Sequence, residues 1–310
     1  MTTEQRRKAR LAIGLRSTAQ SLSLIGNAAS AFADRGIDLE IAQIETAGPA
    51  GIAGLMRGDW EFAEFGAVPV VQWAMEGQDP VILMAAEPVS ALYILAAKSV
   101  TQPRDLAGGE VGVLTAAGQT GYSAKEMLRR WDLSGAVGLA ELMRYPAILD
   151  RLVQGAIRGG VLTADYRFAA PPEAGISVLA DLGAEFRFQG PVLATTWQYL
   201  RKHRDVVEQV VAGYCQAIHV FKTRPDIVRP VLQRHLPFAD AAGVQRIHEF
   251  YAERFSRIPR PSVAGLQAVI DSCRKNNPGQ RELTVEDVHE PSVLDALERQ
   301  GLFNSLYQAA

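Results

Sequence analysis

A polar stretch, LRSTAQSLSL at positions 15–24, follows the first apolar run of the chain. Four of its side chains are candidates for binding a ligand: Arg16, Ser17, Thr18 and Gln20. They would project from the carboxyl end of a first strand, the edge at which open α/β sheets bind ligands. The planar guanidinium of Arg16 could form a bidentate pair with a carboxylate or a sulfonate. The stretch therefore predicts an anion-binding turn, with a surface arginine beside a helix cap as the alternative.

A second stretch, VGVLTAAGQTGYSAKE at 111–126, joins a short apolar run, a glycine-containing turn and an amphipathic helix. It lacks the lysine of a P-loop and the spacing of GxGxxG, and Gln119 stands where a nucleophile elbow needs serine. What remains is a turn at Gly118 followed by a helix start, where the free backbone N–H groups of residues 119–121 can hold a ligand oxygen. An ordinary turn with Thr120 as the helix N-cap is the alternative.

Three carboxylates lie near the second and third predicted strands: Glu45, Glu61 and Glu64. A pair of carboxylates can do acid–base catalysis when one of them is desolvated. Strand alternation separates Glu61 from Glu64, so the two need not face each other. Recognition of a cationic or hydroxyl group of a ligand is the favoured interpretation, and catalysis by one of these acids is the alternative.

Histidines and cysteines offer no recognisable catalytic or metal-binding pattern. The five histidines all fall in the predicted helical C-terminal segment: His203, His219, His235, His248 and His289. None has HExxH or HxH spacing, and no Ser/His/Asp set stands out, so we expect no metal, no cofactor and no catalytic nucleophile. Cys215 and Cys273 have no CxxC partner. Two buried thiols are favoured, with a disulfide in an oxidising compartment as the alternative.

Composition and charge indicate an ordinary globular protein. The 310 residues are 48% hydrophobic and 21% charged, with a formal net charge of -2, which gives no basic surface for nucleic acid. No apolar run approaches the ~18 residues of a membrane span. The first twenty residues lack the apolar core of a signal peptide. The location is therefore predicted to be periplasmic if an export signal has been removed, and cytoplasmic otherwise.

Short apolar runs alternate with helical patterns in the first two thirds of the chain. Strands are predicted over 9–15, 38–45, 60–66, 80–87, 92–98, 110–116, 137–143, 159–165, 176–182 and 191–197. Helices are predicted over 21–35, 49–57, 67–76, 121–131 and 146–155. After residue 197 the pattern is helical almost to the end, over 196–236, 240–256, 261–274 and 291–300. This alternation predicts α/β architecture with mainly parallel sheets.

The order of these elements predicts two lobes. Two α/β rounds are followed by a helical C-terminal segment, with crossings near residues 90 and 190. Residues 1–91 plus 192–310 would form the first lobe, completed by the helical segment, and residues 92–191 the second. One large doubly wound sheet is the alternative.

Four stretches resemble the periplasmic solute-binding proteins of ABC importers for nitrate, taurine, aliphatic sulfonates and thiamine precursors. ASAFADRGIDLEIAQIETAGPAGIAGLMRGDWEFAEFGAVPVVQWAMEGQDPVIL is similar to the first-lobe signature, and TQPRDLAGGEVGVLTAAGQTGYSAKEML to the second-lobe D-L-x-G-x-x-[IV]-[GA]-V block. LATTWQYLRKHRDVVEQVVAGYCQAIHVFKTRPD resembles the return segment, and PSVLDALERQGLFNSLY the C-terminal helix pair. The resemblance implies a two-lobed type 2 periplasmic-binding-protein fold with an interlobe cleft and a helical C-terminal segment.

The resemblance also implies ligand contacts at four turns. They are Ser17, Thr18 and Gln20; Phe65 and Gly66; Gly118, Gln119 and Thr120; and Asp165 with Tyr166. Gln119 replaces the family's usual serine or threonine, and Glu64 adds an acid beside a position that is usually neutral. The implied function is capture of a small organic acid, sulfonate or pyrimidine-like solute, anionic or zwitterionic, for an ABC permease.

The same fold occurs in cytoplasmic enzymes, which supply the alternative function. A desulfinase of biphenyl sulfinates, an aromatic-dicarboxylate decarboxylase and the pyrimidine-forming enzymes of thiamine synthesis resemble this family. The active cysteine of the desulfinase type has no counterpart here, because Ser17 occupies that neighbourhood. The alternative is a decarboxylase, a desulfinase-like enzyme or a hydrolase that acts on a small aromatic or heteroaromatic acid through Arg16 and Glu64.

Overall fold

The computed structural model describes residues 6–44 and 48–308. Ten strands run through it, and each overlaps a predicted strand. Their bounds are β1 Arg7–Ile13, β2 Ile37–Gln43, β3 Phe62–Phe65, β4 Pro80–Met84, β5 Leu92–Ala96, β6 Glu110–Val113, β7 Gly138–Glu141, β8 Gly159–Thr163, β9 Ser177–Asp181 and β10 Val192–Thr196. Glu45, predicted to end the second strand, lies outside the described residues.

The strands form two five-stranded sheets, so the single doubly wound sheet is wrong. The first sheet has the order β2-β1-β3-β10-β4, and the second has the order β7-β6-β8-β5-β9. Each is parallel except for one strand: β10 runs antiparallel to β3 and β4, and β5 runs antiparallel to β8 and β9. The reversed strands, β5 and β10, are the two with which the chain passes from one sheet into the other. The other four strands of each sheet run in the same direction, which confirms the prediction of mainly parallel sheets.

Helices cover both sheets and dominate the C-terminal third. Their bounds are α1 Leu22–Ala28, α2 Gly48–Arg57, α3 Ala67–Met75, α4 Gln119–Arg130, α5 Tyr145–Val153, α6 Ala164–Ala169, α7 Leu182–Phe186, α8 Trp197–Lys202, α9 Arg204–Thr223, α10 Pro225–His235, α11 Ala241–Arg254, α12 Val263–Asn276, α13 Ser292–Arg299 and α14 Leu302–Tyr307. No helix among the described residues is long and apolar enough to cross a membrane.

The single helix predicted over 21–35 is wrong, because the chain breaks after α1. Ser30 adopts a left-handed backbone with φ of 58°, which a continuous right-handed helix does not allow. The break turns Ala31 and Phe32 into the core, where both are fully buried. A short 3₁₀ turn over Ala33–Arg35 then leads into β2.

The C-terminal helices complete the covering of the first sheet. The long helix α9 packs on α1, α12 packs on α3, and α13 packs on α9 and β4. Helix α11 also contacts α6, which follows a strand of the second sheet. Cys215 on α9 and Cys273 on α12 are free and buried, and burial raises the pKa of each thiol to about 12. The buried-thiol prediction is confirmed.

Candidate functional site

A cavity of about 740 Å³, a volume that includes its open mouth, lies where the two sheets face each other. The carboxyl ends of β1, β3 and β4 form one wall, and those of β6 and β8 form the other. Its lining comprises Leu15, Ser17, Ala19, Gln20, Gly48, Pro49, Phe65, Gly66, Pro69, Glu87, Ser90, Ala91, Leu92, Leu114, Thr115, Gly118, Gln119, Thr120, Tyr145, Thr163, Pro191 and Tyr251.

Three helices present their N-terminal residues to this cavity: α2, α3 and α4. The N-caps of α3 and α4 are Gly66 and Gly118, and no side chain of the described residues caps either helix. The first backbone N–H groups of a helix have no partner within the helix, and the helix dipole makes this end attractive to anions. The cavity therefore offers backbone donors from both walls.

Helix α4 can approach the β6 turn this closely only because residue 121 is glycine. A Cβ at Gly121 would lie 2.4 Å from the Thr115 carbonyl oxygen and 2.5 Å from that of Ala116. Gly118 itself is extended, with φ of -97°, so the turn does not need a left-handed residue there. The alternative that Thr120 is the N-cap is wrong. Its hydroxyl oxygen instead accepts the backbone N–H of Leu114 at 3.0 Å.

Gln119 reaches across the cavity from the second sheet towards the first. A Cβ at Gly66 would lie 3.0 Å from Gln119 Oε1, so the amide lies close to the backbone of the opposite wall. Its Nε2 is buried and has no hydrogen-bond partner among the described residues. A buried amide nitrogen without a partner costs free energy. A ligand with an acceptor at this position would remove that cost.

Glu87 is the one carboxylate that lines the cavity among the described residues. It follows β4 and is 2% exposed. Burial raises the pKa of Glu87 to about 7, although the Arg254 guanidinium opposes this increase. Arg254 Nε donates to Glu87 Oε1 at 2.9 Å, and Arg254 also donates to the Val89 carbonyl oxygen at 2.7 Å. This ion pair fixes the carboxyl beside the first crossing between the sheets.

Asp165, Thr18 and Tyr166, which the family resemblance places at the ligand, are buried outside the cavity lining. Asp165 Oδ1 accepts from Thr18 N at 3.1 Å and Thr18 Oγ1 at 2.5 Å. Its other oxygen accepts from Thr163 Oγ1 at 2.8 Å and the Tyr251 hydroxyl at 3.2 Å. The carboxylate is thus saturated by donors from both sides of the cavity. Asp165 joins the two walls behind the site.

Tyr166 also packs behind the cavity. Its ring stacks on Phe238 at a centroid distance of 4.3 Å and contacts Tyr145 at 5.2 Å. Its hydroxyl donates to the Arg16 carbonyl oxygen at 3.3 Å. These contacts place Tyr166 in the core between α6 and the C-terminal helices.

Arg16 faces away from the cavity. Leu15 and Ser17 line it, whereas Arg16, in the bend between them, does not. Arg16 Nη1 donates to the His235 carbonyl oxygen at 3.3 Å and lies in a separate surface depression with Leu24. The expected pairing of Arg16 with a ligand anion in the cleft therefore has no support from its position.

Glu64 is buried below the cavity, between β3 and the helices that cover it. Its Oε2 accepts from Ser23 Oγ at 3.1 Å and from the Tyr214 hydroxyl at 2.9 Å. The backbone N–H groups of Leu22 and Ser23 at the start of α1 also donate to the carboxyl, but burial is the larger effect and raises the pKa of Glu64 to about 7. Glu64 caps α1 and does not line the cavity.

Seven predicted site residues do line the cavity together: Ser17, Gln20, Phe65, Gly66, Gly118, Gln119 and Thr120. Sequence reasoning missed Glu87, Tyr145 and Tyr251. Glu87 ends the predicted fourth strand, so the rule that ligands meet carboxyl strand ends could have identified it. The two tyrosines lie on α5 and α11, and no local pattern marks them. No group of three or more His, Cys, Asp or Glu among the described residues is placed to hold a metal ion.

A polar contact at Tyr122 also connects the two walls. The Tyr122 hydroxyl on α4 accepts from Gln72 Nε2 and from Asn277 Nδ2, each at 3.0 Å. Close by, Lys275 Nζ lies 2.9 Å from Glu126 Oε2. Gln72 and the segment of Lys275 and Asn277 belong to elements that pack on the first sheet. The walls therefore meet in this structure on the Tyr122 side as well as at Asp165.

Two facing α/β sheets, a C-terminal helical segment and a cavity between the sheets define the periplasmic-binding-protein fold, with the expected type 2 architecture. Residues 28–227 match the family described as NMT1/THI5 like. The match covers more than half of the chain, so the protein belongs to that family. No curated protein sequence matches the chain.

Solved structures share this fold at low sequence identity. The chain is similar to the alkanesulfonate-binding protein SsuA from Xanthomonas axonopodis pv. citri bound to MOPS, with a TM-score of 0.76, 15% identity and coverage of 93% of this chain and 100% of that one. The periplasmic aliphatic sulphonate binding protein SsuA from Escherichia coli gives 0.74 and 17%, with 92% of each chain covered. A DSZB mutant in complex with biphenyl-2-sulfinic acid gives 0.66 and 14%, covering 94% and 98%.

Proposed function

We propose that this protein is a solute-binding protein that captures a small organic anion or zwitterion between its two sheets for an ABC importer. The observation that carries the proposal is the cavity wall formed by the uncapped starts of α3 and α4, with the unpartnered Gln119 Nε2 between them. Backbone N–H groups at helix starts bind anions without a charged side chain. The similarity to two SsuA proteins, whose names describe sulfonate binding, supports the same function.

The sheets suggest how capture would work. We take residues 1–91 plus 192–310 as the first lobe and 92–191 as the second, because β1–β4 and β10 share one sheet and β5–β9 share the other. Relative motion of the lobes about the two crossings would open and close the cavity. Periplasmic location and an ABC permease as partner follow from the same proposal and from the periplasmic relatives.

The enzyme alternative loses its two proposed residues. Arg16 and Glu64 are placed outside the cavity lining. Neither cysteine lines the cavity, and burial raises the pKa of both thiols to about 12, which disfavours a nucleophilic thiolate. Among the described lining residues, Glu87 is a lone carboxyl rather than one of a catalytic pair. Recognition without chemistry is the simpler use of this lining.

Thermal-shift screening over small carboxylates, sulfonates and pyrimidines tests the proposal, followed by calorimetry on the compounds that raise the melting temperature. We expect Gln119→Ala to weaken the best compound about tenfold or more, the equivalent of one hydrogen bond to a charged group. Arg16→Ala is the matched control. It should leave the affinity unchanged, because Arg16 faces away from the cavity.

Two results would contradict the solute-binding function, and a third would contradict the site. One is the absence of any stabilising compound across the three classes at millimolar concentration. The other is conversion of a bound acid during incubation, followed by chromatography, which would restore the enzyme alternative. A loss of affinity in Arg16→Ala equal to that in Gln119→Ala would show that the cavity described here is not the binding site.

A further inference from the structure

An anion in this cavity would be held without a cationic side chain of the described lining. None of its described lining residues is a lysine, an arginine or a histidine. The donors available to an anion include the helix starts at Gly66 and Gly118 and the Nε2 of Gln119, beside hydroxyl groups such as that of Ser17. These donors suit one negative charge, whereas a doubly charged phosphate ester would call for arginine or lysine. The anionic end of a ligand is therefore placed between α3 and α4.

Glu87 gives the cavity a second, opposite end. Gly66 follows β3 and Glu87 follows β4, and β10 lies between those two strands. Adjacent strands are about 4.8 Å apart, so the two positions are separated by roughly 9.5 Å along the sheet edge. At this end two acids, Glu87 and Asp165, lie near one cation, Arg254, so an anion would add to an excess of acidic groups. This end of the cavity therefore disfavours a negative group.

The Glu87 carboxyl has capacity for about two more donors. A carboxylate has about four acceptor positions. Arg254 Nε uses one, and the backbone N–H of Ala91 uses another. The Arg254 pair also prevents the side chain from turning out of the cavity. A fixed acceptor with open positions at the edge of a binding cavity selects a ligand that carries a donor.

We infer that Glu87 is a specificity-determining residue, and that the ligand is a monoanionic acid with a hydrogen-bond donor, such as an ammonium, amino or hydroxyl group, at the end away from its acid. This inference rests on the proposed solute-binding function. The apolar surface between the two ends, which includes Leu15, Leu92 and Leu114, would hold the carbon skeleton that separates the two polar groups.

Matched pairs of probes test the inference by calorimetry at pH 8, above the pKa of Glu87. Taurine is compared with propane-1-sulfonate, and 4-aminobenzoate with 4-methylbenzoate, so that a methyl group replaces the donor in each pair. In at least one pair we expect the donor-bearing member to bind about tenfold tighter or more, as one charge-assisted hydrogen bond would give. Glu87→Gln should reduce that ratio to about threefold or less. Glu61→Gln, which removes a carboxyl outside the cavity, should preserve it.

The outcomes separate this inference from the proposed function. If acids bind but both methyl analogues bind as tightly as their donor-bearing partners, Glu87 does not select a donor and only this inference fails. A ratio unchanged in folded Glu87→Gln also overturns it. Tight binding of ethylamine or aniline, which lack the acid, overturns the inference that the ligand carries an acid at one end and a donor at the other. If no acid binds in the screen, the proposed function itself fails. The wild-type ratio needs no variant, so instability of Glu87→Gln does not remove the test.

Discussion

Glu64→Gln separates a structural carboxyl from a functional one. In the wild type, Glu64 is 3% exposed and accepts two hydroxyl donors and two backbone N–H donors. Glutamine has nearly the same shape. Its amide oxygen can receive the N–H groups of α1, while its NH₂ group can donate to the oxygens of Ser23 and Tyr214, since hydroxyls both donate and accept. The substitution therefore removes the ionisation and preserves the contacts.

The size of the effect follows from the pKa. Burial raises the pKa of Glu64 from 4.5 to about 7 in the folded protein. The folded state then holds its proton more tightly than the unfolded state. The associated stability is fully present below pH 4.5 and is lost as the pH rises to about 7. One pKa unit corresponds to about 1.4 kcal/mol, so this loss reaches about 3 kcal/mol. Glutamine cannot ionise and avoids the loss.

Urea denaturation at pH 5 and pH 8 measures the difference. We expect Glu64→Gln to gain about 2–3 kcal/mol of unfolding free energy relative to the wild type between these pH values. Ligand affinity should remain unchanged, because Glu64 does not line the cavity. Glu40→Gln, an exposed carboxyl on β2, controls for removal of one charge. A pH-independent difference between Glu64→Gln and wild type would refute the burial argument, and a loss of ligand binding would refute the structural assignment.

Two further substitutions probe the contacts that position the cavity walls. Asp165→Ala removes the acceptor of four hydrogen bonds and should lower the unfolding free energy by about 2–4 kcal/mol in urea. Asp165→Asn should cost less, and equal loss in both variants would contradict this account. Gly121→Ala places a methyl group against two backbone carbonyls and should cost about 1–3 kcal/mol by thermal or urea denaturation. Ser123→Ala on the same helix is its control, because the buried Ser123 Oγ has no described partner to lose.

The strands were predictable because each is a short apolar run bounded by polar turns. β3 and β4 are buried along their whole length, and a strand covered on both faces leaves a continuous apolar signal in the sequence. The turns after β1, β3 and β6 followed from those strands, since carboxyl ends of parallel strands share one edge. This is why Ser17 and Gln119 were placed at the cavity from the local pattern, whereas Gly66 was placed there by the family resemblance.

The directions of individual side chains were not predictable in the same way. Arg16 lies between two cavity residues and faces His235, whereas Glu64 turns under the sheet to cap α1. Both outcomes depend on helices that are distant in the sequence. Tyr251 lies 86 residues from its partner Asp165, and no periodicity reports such a pairing. Local pattern thus locates the site edge, while tertiary packing decides which polar residues reach it.

The connections at Asp165 and at Tyr122 differ in what their separation would cost. Opening at Asp165 would leave a buried carboxylate and its donors without partners, which is expensive unless water enters. Opening at Tyr122 breaks contacts of partly buried amides and the exposed Lys275–Glu126 pair, whose groups regain water, and an exposed ion pair adds at most about 1 kcal/mol. The walls therefore separate more readily on the Tyr122 side. There the start of α4 and Gln119 would move away from Gly66. The donors proposed to hold the anion would therefore come together when the cavity closes and separate when it opens.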